Sequence, residues 1–253
     1  MSNGKLALIT GGSRGLGKNT AMALARSGVD IILTYRTNES EAREVVSNIQ
    51  SLGRKAVCLQ LDVGQIPQFG TFAEKIASHL KDEWQCSRFD FLVNNAGRGV
   101  HKPFMETTEA DFDQLLNEHF KGVFFLTQTL LPLMADGGRI INISSGLTRF
   151  SVPGHSAYAS FKGAIEILSR YLAKELGSRG IRVNAFAPGA IETDFSGGVV
   201  RDNAEMNQHL ASQTALGRVG LPDDIGGAIA SLLSDQNGWI TGQRIEASGG
   251  MFL

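Results

Sequence analysis

The chain has 253 residues, 42% hydrophobic and 19% charged, with 30 glycines; that balance suits one α/β domain with many tight turns and argues against disorder. Its 24 basic and 25 acidic residues leave a net charge of −1, so no overall field favours nucleic acid as a partner. Cys58 and Cys86 stand far apart, outside any CxxC or metal-ligand spacing, and no apolar run approaches membrane-spanning length, so the expectation is a cytosolic protein with reduced thiols, no metal and no membrane partner.

Short β-type runs at 5–10, 30–35, 56–61, 89–93, 139–143, 182–186 and 243–247 alternate with helical periodicity at 16–27, 39–52, 65–81, 109–134, 156–178 and 222–233. The first run begins almost at once, so no signal peptide is expected. Several runs, Leu6-Ala7-Leu8-Ile9 among them, are apolar throughout, as parallel strands covered on both faces are. The pattern predicts an α/β chain with a doubly wound parallel sheet of about seven strands flanked by helices. One stretch, 189–216, breaks the rhythm with Gly197-Gly198 and polar residues, and is expected to form a substrate-covering lid.

Between the first strand and first helix lies Thr10-Gly11-Gly12-Ser13-Arg14-Gly15-Leu16-Gly17. In that context Gly11 permits a tight turn, Gly15 lets backbone approach a pyrophosphate, Gly17 lets helix and strand pack closely, and the helix N-terminus attracts phosphate. A glycine triplet also suits an ordinary βα turn. The second strand ends in Thr34-Tyr35-Arg36-Thr37-Asn38, with no carboxylate where an NAD site places one for the ribose 2′-hydroxyl. Arg14 and Arg36 are instead available to a 2′-phosphate, which favours NADP(H), although either arginine also suits a solvated surface.

After the fifth strand, Asn142-Ile143-Ser144-Ser145 leads through a loop to Tyr158-Ala159-Ser160-Phe161-Lys162 at the start of a long helix. Tyr158 and Lys162 are four apart and share a face. An ammonium beside a phenol lowers its ordinary pKa of about 10 towards a range useful for proton transfer. Taken alone, the pair also reads as a packed ring with a snorkelling neighbour.

Together the glycine turn and this spacing resemble the short-chain dehydrogenase/reductase superfamily over essentially the whole chain. The resemblance implies a single-domain Rossmann-type fold. It implies that Tyr158 exchanges a proton with the substrate oxygen, that Ser145 hydrogen-bonds the same oxygen, and that Lys162 binds the nicotinamide ribose. It also implies cofactor contacts at Ser13, Leu16 and Tyr35, at Asp62-Val63 near adenine, and at Asn94-Asn95-Ala96-Gly97 on the adenosine side. Pro188-Gly189-Ala190-Ile191-Glu192-Thr193 looks like the turn whose Ile191 backbone and Thr193 hydroxyl hold the carboxamide. The family usually forms tetramers through two long helices, here around 115–134 and 165–176.

One position departs from the pattern. Where the family usually has an asparagine that holds a water in the proton relay, alignment of Phe112, Leu115-Leu116 and Gly122-Val123-Phe124 puts His119. A histidine ordinarily titrates near neutrality, so a relay through His119 predicts an added ionisation there; a histidine turned aside, with water still carrying the relay, predicts none. Phe161 replaces a small residue and is expected to alter packing rather than chemistry. The expected activity is hydride transfer between NADPH and a carbonyl or alcohol carbon of a small molecule. The alternatives are a 3-oxoacyl-acyl-carrier-protein reductase, weakened because the turn Met134-Ala135-Asp136-Gly137-Gly138 lacks the lysine or arginine those enzymes often show there although Arg179 remains, and an NADPH sensor without turnover.

Overall fold

The computed structural model describes residues 4–253. Seven strands, β1 (Leu6–Ile9), β2 (Asp30–Tyr35), β3 (Ala56–Gln60), β4 (Phe89–Asn94), β5 (Met134–Ile143), β6 (Arg182–Pro188) and β7 (Arg244–Ala247), form one sheet in the order β3-β2-β1-β4-β5-β6-β7. Every pairing is parallel. The principal helices are α1 (Gly15–Arg26), α2 (Glu39–Ser51), α3 (Phe69–Trp84), α4 (Glu109–Leu116), α5 (Gly122–Leu130), α6 (Ser156–Glu175), α7 (Val199–Asp202), α8 (Ala204–Ser212) and α9 (Pro222–Leu232).

Successive strand residues point to opposite faces, and both faces are covered. Ala7 and Ile9 join Leu24, Val45, Ile49 and Ile229 in a core under α1, α2 and α9. Leu6 and Leu8 join Phe69, Ile76, Leu80, Leu126 and Leu130 in a second core under α3 and α5. This two-sided burial is why the strands read as continuous apolar runs. The strand order reverses between β1 and β4, the crevice where such sheets bind ligands at their carboxyl ends.

Two elements differ from the periodicity. The helix expected over 109–134 is broken: α4 passes into a π-helical turn, Asn117–Lys121, before α5, and a 3₁₀ turn at Leu131–Leu133 ends it at Pro132. The wider turn lets Gly122 lie against the end of β3, where a Cβ would come within 2.2 Å of the Val63 carbonyl oxygen. The fifth strand begins at Met134 rather than 139, since Met134 pairs with Phe89 before a shift in register. Gly137, at φ 74°, lies within that irregular stretch. Segment 189–216 carries a 3₁₀ turn (Phe195–Gly198) and the short helices α7 and α8.

Candidate active site

The residues that end β1 to β6 lie along one edge of the sheet. Thr10 Oγ1 accepts from the backbone N–H groups of Asn95 and Ala96, both at 3.0 Å, while Asn95 Nδ2 donates to the carbonyls of Thr10 and Gly11 at 2.9 and 3.1 Å. The glycine turn is thereby fixed to β4. Gly11 and Gly15 take φ of 66° and 54°, and a Cβ at Gly17 would sit 2.1 Å from the Gly11 oxygen. Arg14 occupies the N-cap of α1, no side chain caps the helix, and its first turn carries no acid. Unpaired N–H groups and the helix dipole therefore face the groove, a cradle fitted to a pyrophosphate. Ser13 and Leu16 lie in the turn, with Leu16 packed on the core. Thr193 faces Gly15 across the groove, its methyl 3.9 Å from where a Cβ would stand.

Just beyond β2, Arg36 is exposed and its Nη1 lies 3.4 Å from Glu118 Oε1. Arg98 reaches the same oxygen at 3.1 Å. Glu118 is buried, and desolvation raises its pKa against the opposing pull of the two arginines. The Arg14 side chain is exposed and makes no hydrogen bond or ion pair among the described residues. Asp62 Oδ1 accepts from the backbone of Gly64 at 2.9 Å, and Val63 packs on the core. Tyr35 is buried in the core. The Asn94 amide donates to Thr127 and Asn142, and Asn142 donates to Ser169. Its side chain therefore ties β4, α5, β5 and α6 together rather than facing a ligand. Gly189 packs on Ser248, and Ile191 bridges to Gly220; Pro188 ends β6 just before them.

Beyond β5, Ser145, Tyr158, Lys162 and His119 come together. Lys162 is buried on α6, its Nζ donating to the Ile143 carbonyl at 2.7 Å and lying 5.6 Å from the Tyr158 ring centre. Burial pushes Lys162 down to about 7. It pushes the Tyr158 phenol up, opposed by the hydrogen bond with Ser145. The shift runs opposite to the lowered phenol pKa expected from the Tyr-x-x-x-Lys spacing, because burial of the phenol disfavours its charged form. Ser145 Oγ accepts from the Leu147 N–H at 3.2 Å, closing a 3₁₀ turn.

His119 sits mid-way along the π-turn and is 1% exposed. Its Nε2 donates to the Arg98 carbonyl at 2.7 Å, and its ring meets Tyr158 edge to face at 5.1 Å. Nδ1 is buried without a partner, and Gly97 lies beneath the ring, where a Cβ would come within 2.4 Å. Burial and the nearby Lys162 push its pKa down to about 3. That direction runs against the near-neutral ionisation expected of a His119 relay. Phe161 is buried in an apolar cluster with Leu115 and Tyr158 and packs edge-on against Phe112.

Sequence reasoning passed over Glu118, Arg98, Glu166 and Arg244. The one signal for Glu118 was an acid directly beside His119, and for Glu166 an acid one turn beyond Lys162. Among the described residues, no helix is long and apolar enough to cross a membrane and no cluster of three or more His, Cys, Asp or Glu is arranged to hold a metal.

The family model described as enoyl-(acyl carrier protein) reductase matches residues 11–252. The chain belongs to the short-chain dehydrogenase/reductase family. It is 35% identical over 258 residues to a hydroxynaphthalene reductase-like protein of Metarhizium brunneum, covering 98% of this chain and 94% of that one. The promiscuous reductase LugOII, which catalyses keto-reduction at C1 during lugdunomycin biosynthesis, superposes with a TM-score of 0.93 at 39% identity, covering 98% of both chains. The angucycline C-6 ketoreductase LanV with bound NADP superposes at 0.93 and 35% identity, covering 98% of this chain and 95% of that one. This chain is an NADP(H)-dependent oxidoreductase that transfers a hydride between the nicotinamide and a carbonyl or alcohol carbon.

Proposed function

We propose that the chain reduces the carbonyl group of a bulky aromatic ketone, with Tyr158 donating the proton, Ser145 holding the carbonyl oxygen and Lys162 holding the nicotinamide ribose. The observation that carries the substrate class is Phe195, whose ring lies 6.0 Å from that of Tyr158. Val100 and Leu147 pack against the cluster that Tyr158 forms with Leu115 and Phe161. A flat, fused-ring ketone suits such an aromatic wall. The hydroxynaphthalene and angucycline names of the relatives support the same class. Segment 189–216 acts as the lid over this substrate, with Phe195 on its inner side.

NADP(H), when bound, supplies the hydride, and the protein supplies orientation and the proton. Burial keeps Tyr158 protonated at neutral pH, the form needed to donate to an oxygen that is gaining negative charge. Ser145 Oγ accepts from Leu147, which leaves its own proton for that oxygen. As an ammonium, Lys162 stabilises the phenolate left behind. His119, neutral and fixed by Arg98, holds the Tyr158 ring in place rather than carrying protons. Arg36 and Arg14 take the 2′-phosphate, and the Gly11–Gly17 turn takes the pyrophosphate.

A carrier-protein substrate is disfavoured because Arg179 donates to Asp136 at 2.7 Å and to the carbonyls of Leu131 and Met134. The one remaining docking cation is thus already engaged. The sensor reading rested on His119, whose place against Tyr158 is compatible with turnover. A homotetramer is proposed from the exposed Phe124 and Phe125 on α5 and Ile167 and Tyr171 on α6. The free thiols of Cys58 and Cys86 support a cytosolic location.

A substrate panel with NADPH and NADH tests the reading, using bicyclic aryl ketones, acyl thioesters, sugars and quinones. Aryl ketones are expected to give the highest kcat/KM with NADPH, and Phe195→Ala to lower it by about ten-fold, mainly through KM. Preference for acyl thioesters, or indifference to Phe195→Ala, would overturn the substrate class.

A further inference from the structure

Behind Ser145, away from Tyr158, lies a chain of four alternating charges that joins α6, β7 and the C-terminal tail. Glu166, one turn beyond Lys162 on α6, is 14% exposed. Its Oε1 accepts from Ser144 Oγ at 2.6 Å and from Arg244 Nε at 2.8 Å. The Thr148 hydroxyl lies 2.7 Å from the same oxygen and 2.9 Å from the Ser145 carbonyl, and its one proton serves one of the two. Arg244, on β7, also donates to the Ser145 carbonyl at 3.3 Å and to Glu246 at 2.7 Å. Glu246 accepts two hydrogen bonds from Arg149, at 2.9 and 2.7 Å. Arg149 in turn holds the carbonyls of Met251 and Phe252, and Phe150 packs on the Phe252 ring at 4.7 Å.

We infer that Glu166 and Arg244 are positioning residues for Ser145, and that Arg149 extends the same control to the C-terminal tail. The inference rests on the role given to Ser145 above. The Ser145 carbonyl and the hydroxyl of the preceding serine are both held from this side. The loop 144–150 therefore has its geometry set by β7 and α6, and the Ser145 hydroxyl is delivered to the face of Tyr158 with little freedom. The pairs are partly buried and share acceptors, so they act as a unit rather than as separate surface ion pairs. A staple of purely structural value would hold the tail equally well without affecting the serine.

A double-mutant cycle separates the two. With a bicyclic aryl ketone and NADPH, Glu166→Gln is expected to lower kcat by about ten-fold while the NADPH dissociation constant stays within about two-fold. In the Ser145→Ala background the same substitution should change kcat by less than about two-fold, because its effect passes through that serine. Arg244→Lys keeps the charge but not the fork that reaches Glu166, Glu246 and the Ser145 carbonyl together, and should reproduce the loss if the first variant folds poorly. Equal losses in both backgrounds, or a lower melting temperature with kcat unchanged, would overturn the inference. If Ser145→Ala lowers kcat while neither Glu166→Gln nor Arg244→Lys does, this inference alone falls. If Ser145→Ala leaves kcat unchanged, the role of Ser145 falls and this inference with it.

Discussion

Replacing His119 with asparagine isolates a pH effect that the burial of the ring dictates. The imidazole has an ordinary pKa of 6.5 and is pushed down to about 3 in the fold. The unfolded chain therefore takes up a proton below 6.5 that the folded chain refuses until about 3, and stability is lost as pH falls through that window. Between pH 7 and pH 5 the loss from this residue amounts to about 2 kcal/mol. At pH 7 the substitution removes the hydrogen bond to Arg98, the edge contact with Tyr158 and part of the packing volume, each worth about 1 kcal/mol. The parent should thus be more stable by about 3 kcal/mol at pH 7 and by only about 1 kcal/mol at pH 5, since asparagine does not titrate. Urea unfolding of both proteins at the two pH values measures the gap. An unchanged gap would mean that the folded ring is protonated as readily as the unfolded one, and the assignment of a neutral His119 would be wrong. The same neutrality means that the pH dependence of kcat/KM between 6 and 9 should keep its shape in the variant, whatever happens to the rate.

Tyr158→Phe should lower kcat by about a thousand-fold while NADPH still binds, as measured by the quenching of cofactor fluorescence, since the hydroxyl supplies the proton and not the cofactor site. Arg36→Ala should raise the KM for NADPH by about ten-fold or more and leave that for NADH unchanged, because one charge-assisted contact to the 2′-phosphate is lost; equal NADPH and NADH efficiency in the parent would contradict the role. Gly17→Ala forces a Cβ to within 2.1 Å of the Gly11 oxygen, and should destabilise by about 3 kcal/mol or more, lowering the melting temperature by about 10 °C and weakening NADPH binding.

The alternation of apolar runs and helical periods was enough to read the strands and that the sheet is parallel, because the inner strands are buried on both faces and each packed helix mainly on one. The beginning of β5 was not legible. Ala135-Asp136-Gly137-Gly138 has neither the alternation nor the branched side chains of a strand, and it pairs only through a register shift beside Phe89. The glycine turn, Ser145, Tyr158 and Lys162 were legible because each sits just beyond a strand or one helical turn from another. Their charge states were not. Spacing reports which groups share a face, whereas the raised Tyr158 and the lowered Lys162 and His119 follow from how deeply the fold buries them. Arg244 and Glu166 were invisible for a related reason: 78 residues separate them in sequence, and no local pattern joins a β7 side chain to α6.

The π-turn shows most clearly how a local irregularity serves both ends of the site. A regular helix advances about 100° per residue, so adjacent residues point in different directions and a continuous α4–α5 would offer one register for the whole stretch. The widened turn at Asn117–Lys121 instead sets Glu118 against Arg36 and Arg98 on one side and His119 against Tyr158 on the other. Both grip the same neighbour, Glu118 through the Arg98 guanidinium and His119 through the Arg98 carbonyl. With the roles proposed above for Arg36 and Tyr158, any shift of this segment would be felt by the cofactor's phosphate end and by the proton donor at once. That coupling is the physical reason for two polar residues to lie buried side by side in a stretch where periodicity alone calls for apolar ones.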